Sequence, residues 1–418
     1  MKVILAINAG SSSVKISAYT AEQDASPQQI AEAQVSGLTA PPVKLRYSRY
    51  GKSMTQDEHV GRDKVGGQDQ DAAFSLLLDT LVDDGELREI GSTRDIRIAC
   101  HRIVHGGDYA DSRIITRSTY HHLERLSDLA PLHNGAALGI VESCLQRLPD
   151  ATNIACFDSQ FHASIPAHIA TYPIDPRVAK NNGLRKYGFH GLSYASIARS
   201  VAGFLNKDVA TLNIIALHLG SGASACAIKG GRSRDTSMGL TPLAGLPGAT
   251  RSGSIDPSLV FHYASDAGKL SAASTKQLHI SKAEEILNKQ SGWKALTGTT
   301  DFAEIAASDG EQHRLAFDLF VDRVCGFVGS YYVSLEGEVD ALVFAGGIGE
   351  RSSRLRSQVV RQTRCLGFSM DEARNSGPLG RVVEDVGSRD GRHRVLVCQT
   401  DEQYEMARAA TEKRDVWV

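Results

Sequence analysis

Three short glycine turns in this chain have the residue types that hold phosphate. The first runs Asn8-Ala9-Gly10 into Ser11, Ser12 and Ser13, with Lys15 two residues on. Small residues let the backbone approach a ligand closely, amide and hydroxyl groups point into such a turn, and Lys15 adds a cation. The second, His218-Leu219-Gly220-Ser221-Gly222-Ala223-Ser224, repeats the device. The third is Gly346-Gly347-Ile348-Gly349-Glu350. Taken singly, each reads first as a plain tight turn, because turns favour these residues anyway. Three of them, each after a strongly apolar run, strengthen the phosphate reading. None has the P-loop spacing or a dinucleotide fingerprint.

Between these turns lie segments that set polar side chains beside glycine: 101–111, 130–134, 155–162, 185–191 and 248–257. They supply Arg, Asp, Asn and His, a set suited to phosphoryl transfer onto a small anionic acceptor. Two anions must then be brought together, so cations have to offset their repulsion. Asn and Asp can add oxygen ligands for Mg²⁺. Other chemistries fit less well. His101 and His105 straddle a strand-like segment, no H-E-x-x-H follows, and zinc is disfavoured. No G-x-S-x-G elbow is present for a serine hydrolase. One at a time, Arg102 also fits a surface salt bridge, Asp158 a turn residue, Glu402 a first-turn helix acid, and Val104, Leu132 and Phe189 plain core. His218, inside a strand, reads first as a satisfied core histidine.

The elements that must carry these groups alternate as in an α/β protein. Apolar runs predict strands over 2–7, 14–20, 96–100, 153–157, 213–219, 224–228, 339–345 and 394–398. Helical spacing predicts helices near 70–83, 134–147, 193–205, 275–289, 311–335, 351–364 and 402–412. Residues 37–69 are polar and weakly patterned and read as a peripheral, loop-rich excursion. At 418 residues the chain holds two domains or more. Its 42% hydrophobic and 22% charged content is ordinary for a globular protein. A net charge of −2 argues against nucleic acid as a partner. No apolar run approaches a membrane span, and the first residues carry no signal-peptide pattern. The seven cysteines form no C-x-x-C pair and read as reduced residues of a cytoplasmic protein.

Read together, NAGSSSVK, HRIVHGG, APLHN, FDSQFH, YGFHG, HLGSGAS, TRSGSIDP, AGGIGE and TDE resemble the acetate kinase family, in the same order and over almost the whole chain. The resemblance implies two actin-like (ribonuclease H-like, ASKHA-type) α/β domains around a nucleotide cleft, residues 1–158 with 403–418 and residues 159–402. It implies Mg²⁺-dependent, reversible transfer from ATP to acetate, with Mn²⁺ as a substitute metal, giving ADP and acetyl phosphate. It also implies a cytoplasmic homodimer serving acetyl-CoA biosynthesis, with no membrane or nucleic-acid partner. Asn8 and Glu402 match the metal positions, and Asp158 a carboxylate that organises the metal. Ser11, Ser13 and Lys15 match the first phosphate loop. Arg102 and Arg251 match the arginines that orient the acyl carboxylate and the phosphoryl group. His190 matches the histidine that stabilises the phosphoryl group in flight, supported by His133. Val104, Leu132, Phe189 and Pro242 match the methyl pocket. His218, Gly220, Ser221 and Gly222, with Gly346, Gly347, Ile348, Gly349 and Glu350, match ATP-phosphate contacts. Asp301 and Phe302 match positions near adenosine.

Three positions depart from the family pattern, all at the nucleotide end: Ser221 where Asn is usual, Arg351 where Asn is usual, and Ala303 where Arg is common. Rival readings are a propionate- or butyrate-preferring kinase of the same family, a sugar or polyol kinase, and a non-catalytic actin-like nucleotide-binding protein. A sugar kinase would need a carboxylate base and polar sugar contacts, which the apolar set does not offer.

Overall fold

The computed structural model describes residues 1–417 except 11–12, 39–41, 62–69, 127–130, 264–265, 273 and 275–279, and for residues 131–133 and 136 the backbone alone. Two compact units emerge, Met1–Gln160 with Asp401–Val418, and Phe161–Thr400.

The first unit is built on an eight-stranded sheet of β1 (Lys2–Ala9), β2 (Ser13–Ala21), β3 (Gln28–Ser36), β4 (Lys44–Arg49), β5 (Lys52–His59), β6 (Ile96–Ile103), β7 (Arg113–Ile114) and β8 (Thr152–Phe157). Its order is β5-β4-β3-β2-β1-β6-β8-β7. β1 to β3 pair antiparallel, while β1, β6 and β8 run parallel. β1 is covered on both faces, which is why it reads as an unbroken apolar run instead of alternating. The helix Gln70–Val82 seals one face with Phe74, Leu77, Leu78 and Leu81. The C-terminal helix Glu402–Thr411 packs on β1 and β6 and brings Glu402 to this unit.

The second unit carries β9 (Ile214–Leu219), β10 (Ala223–Lys229), β11 (Arg232–Thr236), β12 (Ala341–Ala345), β13 (Val383–Asp385) and β14 (Arg394–Cys398), ordered β11-β10-β9-β12-β14-β13. β9 alternates its faces. Ile215, Leu217 and Leu219 join the core under the long helix Glu311–Ser334, and Ile214 and Ala216 join the core under the helix Gly191–Leu205. The two sheets share one plan: three antiparallel strands followed by two parallel ones, with the Gly/Ser turns joining the first hairpin of each. In the first hairpin Ala9 pairs Val14; in the second Leu219 pairs Ala223. The expected α/β class with two related sheets is therefore what the chain adopts.

Three sequence expectations need correction, and one strand, β3, had none. Residues 37–69 are not merely loop, since β4 and β5 extend the first sheet outward; they were missed because β5 is almost wholly exposed and carries no apolar pattern. β3 went unread because its first residues are exposed and polar. The helix expected over 351–364 begins at Gly346 and breaks at Ser352, whose hydroxyl caps the new start by accepting from the Leu355 amide. The helix expected from 275 starts at Lys282, with Ser281 capping it; residues 275–279 lie outside the described set.

Each unit also buries a histidine. His101 bonds Asn153 through Nε2 at 2.8 Å, and burial, partly offset by that bond, depresses it to about 4. His162 is likewise held at about 4 by burial, with the Phe189 carbonyl opposing and Lys186 adding to the depression. The folded form keeps both neutral, whereas the unfolded chain protonates near pH 6.5. Stability is therefore fully present above about pH 6.5 and is lost as pH falls toward about 4. Between pH 7 and 5 the loss should reach about 2 kcal/mol per histidine. Urea unfolding at the two pH values measures it, and equal midpoints would contradict it.

Candidate active site

The first unit gathers three of the anticipated residues around the guanidinium of a fourth. Arg102, near the end of β6, donates from Nε to Asp158 Oδ1 at 3.0 Å and from Nη2 to Asp158 Oδ2 at 2.6 Å. Its Nη1 reaches Asn8 Oδ1 at 3.1 Å. Asn8 Nδ2 donates to Glu402 Oε2 at 2.9 Å, and that oxygen lies 3.6 Å from Arg102 Nε. Strand order explains the gathering: β1, β6 and β8 are neighbours, and Asn8, Arg102 and Asp158 stand at or just past their C-terminal ends. Asp158 is 1% exposed and Arg102 18%. Burial lowers the arginine's pKa, but the carboxylates of Asp158 and Glu402 outweigh it and hold the group above its ordinary value. Among the described residues, these bonds leave one N–H on each terminal nitrogen of Arg102 uncommitted. Two such parallel donors match a carboxylate.

Lys15 and Ser13 sit at the head of β2. Lys15 pairs with Glu32 at 3.0 Å, so a ligand phosphate would compete with that carboxylate. Val104 is half-buried just past β6. Ser11 lies outside the described residues, as do the side chains of Leu132 and His133. Their neighbour Asn134, not singled out from sequence, is fully buried. It clamps His105 by accepting from its amide at 2.9 Å and donating to its carbonyl at 3.1 Å.

In the second unit His190 caps the helix Gly191–Leu205 with φ 60° and ψ 24°, a left-handed conformation uncommon outside glycine. Its Nδ1 lies 2.8 Å from Ser224 Oγ, which Tyr194 also engages at 2.5 Å. Its ring stacks on His218 at 4.2 Å, and His218 Nδ1 meets Ser193 Oγ at 2.7 Å. His218 is thus hydrogen-bonded, as a strand histidine should be, while flanking the glycine turn. Gly222 is the position on which the arrangement depends. A Cβ there would stand 3.1 Å from Arg251 Nη1 and 3.7 Å from His190 Nε2. A cation and an imidazole therefore converge over a bare backbone turn, where an anion's oxygens could be received. The Arg251 loop is strapped down by backbone bonds, Ala249 N–H to the Ser221 carbonyl at 2.8 Å and Trp293 N–H to the Gly248 carbonyl at 3.2 Å. Phe189 and Pro242 are both buried in this unit.

Beside the same turn opens a pocket of about 460 Å³, lined by Gly220, Ser221, Asp301, Phe302, Gly347 and Ile348, together with the departing residues Ala303 and Arg351. Asp301 caps the helix Phe302–Ala307 by accepting from the Ala303 amide. Phe302 is only 4% exposed and packs on Trp293, Phe317 and Phe320, so most of its ring belongs to the core. Burial pushes the Glu350 carboxyl upward, against backbone hydrogen bonds from Gly346 and Thr400.

Sequence reasoning missed Arg356. It is 2% exposed and binds oxygen only: Asn375 Oδ1 and carbonyl, and the carbonyls of Gly349 and Glu350, at 2.7–2.9 Å. Burial lowers its pKa to about 10. Its signal was an arginine on the apolar face formed by Val359 and Val360, three and four residues on. It fastens the short helix Gly346–Arg351 through the Gly349 and Glu350 carbonyls. Arg356→Met should therefore raise the nucleotide KM on the order of 10-fold, about 1.4 kcal/mol, with the acceptor KM nearly unchanged. Steady-state kinetics on both substrates checks this, and an unaltered nucleotide KM would refute it.

The donor set around Asn8 can be tested against Mg²⁺. It is all oxygen, as a hard cation requires, but Asp158 spends both oxygens on Arg102 and Asn8 is engaged at both ends of its amide. Glu402 engages through Oε2, leaving Oε1 as the readiest ligand. Among the described residues no group of three or more His, Cys, Asp or Glu is gathered. Such a set fits a metal held by one carboxylate, water and ligand phosphates, the usual manner of Mg²⁺.

The acetokinase family model matches residues 3–408 of the chain. A probable acetate kinase of Chaetomium globosum is 60% identical, the match covering 99% of both chains. Among solved structures, a propionate kinase from Francisella tularensis superposes with a TM-score of 0.81 at 32% identity, covering 98% of this chain and 99% of that one. An acetate kinase from Porphyromonas gingivalis gives 0.79 at 30% identity, covering 97% and 98%. With the duplicated sheet plan and the strand-end arginine cluster in place, the chain belongs to the acetokinase family.

Proposed function

We propose that the protein is an acetate kinase, transferring the γ-phosphoryl group of ATP reversibly to acetate to give acetyl phosphate and ADP. The observation that carries this reading is the convergence of Arg251 Nη1 and His190 Nε2 over Gly222 beside the 460 Å³ pocket. The family match and the names of its relatives support it.

Acetate is already ionised at neutral pH, because carboxyl groups titrate near 4 to 5. The nucleophile needs no general base. The protein's work is to align two anions and to stabilise charge on the moving phosphoryl group. Arg102, kept rigid by Asp158 and Asn8, offers its two remaining N–H groups to the acetate oxygens. Arg251 and His190 receive the equatorial phosphoryl oxygens, and the bare turn at 220–222 receives the donor phosphates. Asn8 and Glu402 are the residues that would hold Mg²⁺, which when bound supplies compact positive charge against the phosphates.

Val104, Phe189, Leu132 and Pro242 are assigned to the acyl methyl group. A methylene alters discrimination by only about 1–3 kcal/mol, so propionate is accepted as well. The propionate kinase among the structural relatives makes this comparison worth running. Val104→Ala should raise the butyrate-to-acetate ratio of kcat/KM about 10-fold, and an unchanged ratio would remove Val104 from the pocket. The reading also carries a homodimer, which light scattering would detect. It carries a cytoplasmic setting and a role in acetyl-CoA biosynthesis; seven free thiols are in keeping with a reducing compartment.

The test is an acyl-phosphate assay trapped with hydroxylamine. Donors are ATP, GTP and pyrophosphate; acceptors are acetate, propionate, butyrate and glycerol; Mg²⁺ or Mn²⁺ is supplied. Acetyl hydroxamate formed with ATP supports the reading and makes Ser221, Arg351 and Ala303 tolerated variation. Product with another donor alone would mean that those residues re-specify the donor. No product with any pair would overturn the activity.

A further inference from the structure

The FDSQFH segment ends in a histidine to which the proposed reaction gives no task. His162 is 1% exposed and far from idle. Its Nε2 lies 2.9 Å from the Phe189 carbonyl oxygen and its Nδ1 2.7 Å from Ser233 Oγ. A carbonyl oxygen carries no hydrogen, so Nε2 holds the proton. In a neutral ring Nδ1 then accepts from the Ser233 hydroxyl. The tautomer is set by these two partners.

Phe189 immediately precedes His190, the left-handed helix cap. The carbonyl that His162 grips thus belongs to the peptide that leads into the strained residue. Gly188 lies flush on the His162 ring: with φ at +80°, an added Cβ would approach Cγ and Cδ2 of that ring to 2.8 Å and Thr236 Cγ2 to 2.4 Å. The same ring stands edge-on to Tyr194, centroids 5.6 Å apart, and Tyr194 reaches His190 Nδ1 through Ser224. Two independent routes therefore run from His162 to His190, one into its backbone and one to its ring. Strained backbone persists only where the surroundings over-determine it.

We propose that His162 is a positioning residue for His190, a neutral Nε2–H imidazole that pins the Phe189 carbonyl and so keeps His190 in its left-handed conformation with Nε2 over Gly222. This rests on the reading that His190 acts on the phosphoryl group. The same bond fixes Phe189, so acyl selectivity and phosphoryl stabilisation share one anchor.

The test combines three variants with a spectroscopic measurement. His162→Leu has similar bulk and no donor; His162→Gln keeps an amide that can reach the Phe189 carbonyl; Ser233→Ala removes the partner of Nδ1, together with a 3.5 Å contact to Cys226 Sγ. In the full-length wild type, ¹⁵N-detected imidazole spectra at pH 7 should show His162 protonated on Nε2 and not on Nδ1. His162→Leu should lower kcat by about 10²-fold, the scale of a small misplacement, with the nucleotide KM within about twofold. His162→Gln should recover most of that loss, and Ser233→Ala should fall between. Added to His190→Ala, His162→Leu should cost nothing further, because both changes remove the same contribution. An Nδ1–H tautomer, additive losses, or a folded His162→Leu with wild-type kcat would each overturn the proposal. Should His162→Leu fail to fold, the tautomer and Ser233→Ala decide. His190→Ala with unimpaired kcat would overturn the functional reading instead, and the tautomer and the His190 amide shift in Ser233→Ala would still judge the anchor.

Discussion

Arg251→Ala is expected to lower kcat by about 10²–10³-fold while the acetate KM changes less than about threefold. The asymmetry follows from when the contact is made. A donor aimed at charge that develops during transfer is lost mainly from kcat, whereas a donor to the resting substrate is lost from KM. Arg251 Nη1 stands over Gly222 with His190 Nε2, whereas the acyl carboxylate is assigned to Arg102. Its loop is held by main-chain bonds from Gly248, Ala249 and Ser252, which alanine leaves intact. The loss should then read as chemistry instead of disorder. Arg251→Lys keeps the charge but not the planar fork, so it should recover only part of the rate. A variant with near-normal kcat would remove Arg251 from the transition state.

Asp158→Ala should destabilise the first unit by about 3 kcal/mol. It strips the bidentate partner from an arginine that is itself mostly enclosed. Removing one member of a buried pair leaves the other charge uncompensated, typically a cost of about 3–5 kcal/mol. Glu402 at 3.6 Å and Asn8 at 3.1 Å remain near the guanidinium and set the lower end of that range. For a unit of this size the thermal midpoint should fall by roughly 10 °C. Asp158→Asn, which keeps an oxygen acceptor, should cost less than half as much yet lose similar activity, since the guanidinium is no longer locked. Calorimetry beside steady-state assays separates the two effects. A midpoint unmoved in Asp158→Ala would mean that the pair is not what secures Arg102.

Much of the scaffold could be read from order along the chain. Strands such as β1, β9 and β12 announce themselves because burial on both faces demands continuous apolar runs. The Gly/Ser turns between β1 and β2 and between β9 and β10 were legible as paired hairpins, because turn chemistry is local. The strands β3 to β5 were not: β3 opens on exposed polar residues, and β5 is an exposed edge strand with no pattern to show, specified by its neighbour's backbone. The break at Ser352 was also hidden, because capping and continued helix compete within a few tenths of a kcal/mol to about 1 kcal/mol.

By itself the sequence determined the family, the Gly/Ser-rich segments and the identity of the charged residues, all of which are properties of residue type and order. Only the tertiary structure decided how those residues are committed. It gave both Asp158 oxygens to Arg102, paired Lys15 with Glu32, bonded Arg356 to the carbonyls of the short helix from Gly346, and placed His162 against the peptide before His190. Each of these joins residues between six and fifty-six positions apart. Hydrogen-bond partners at such separations are chosen by strand order and packing, and neither is written in any local stretch of chain.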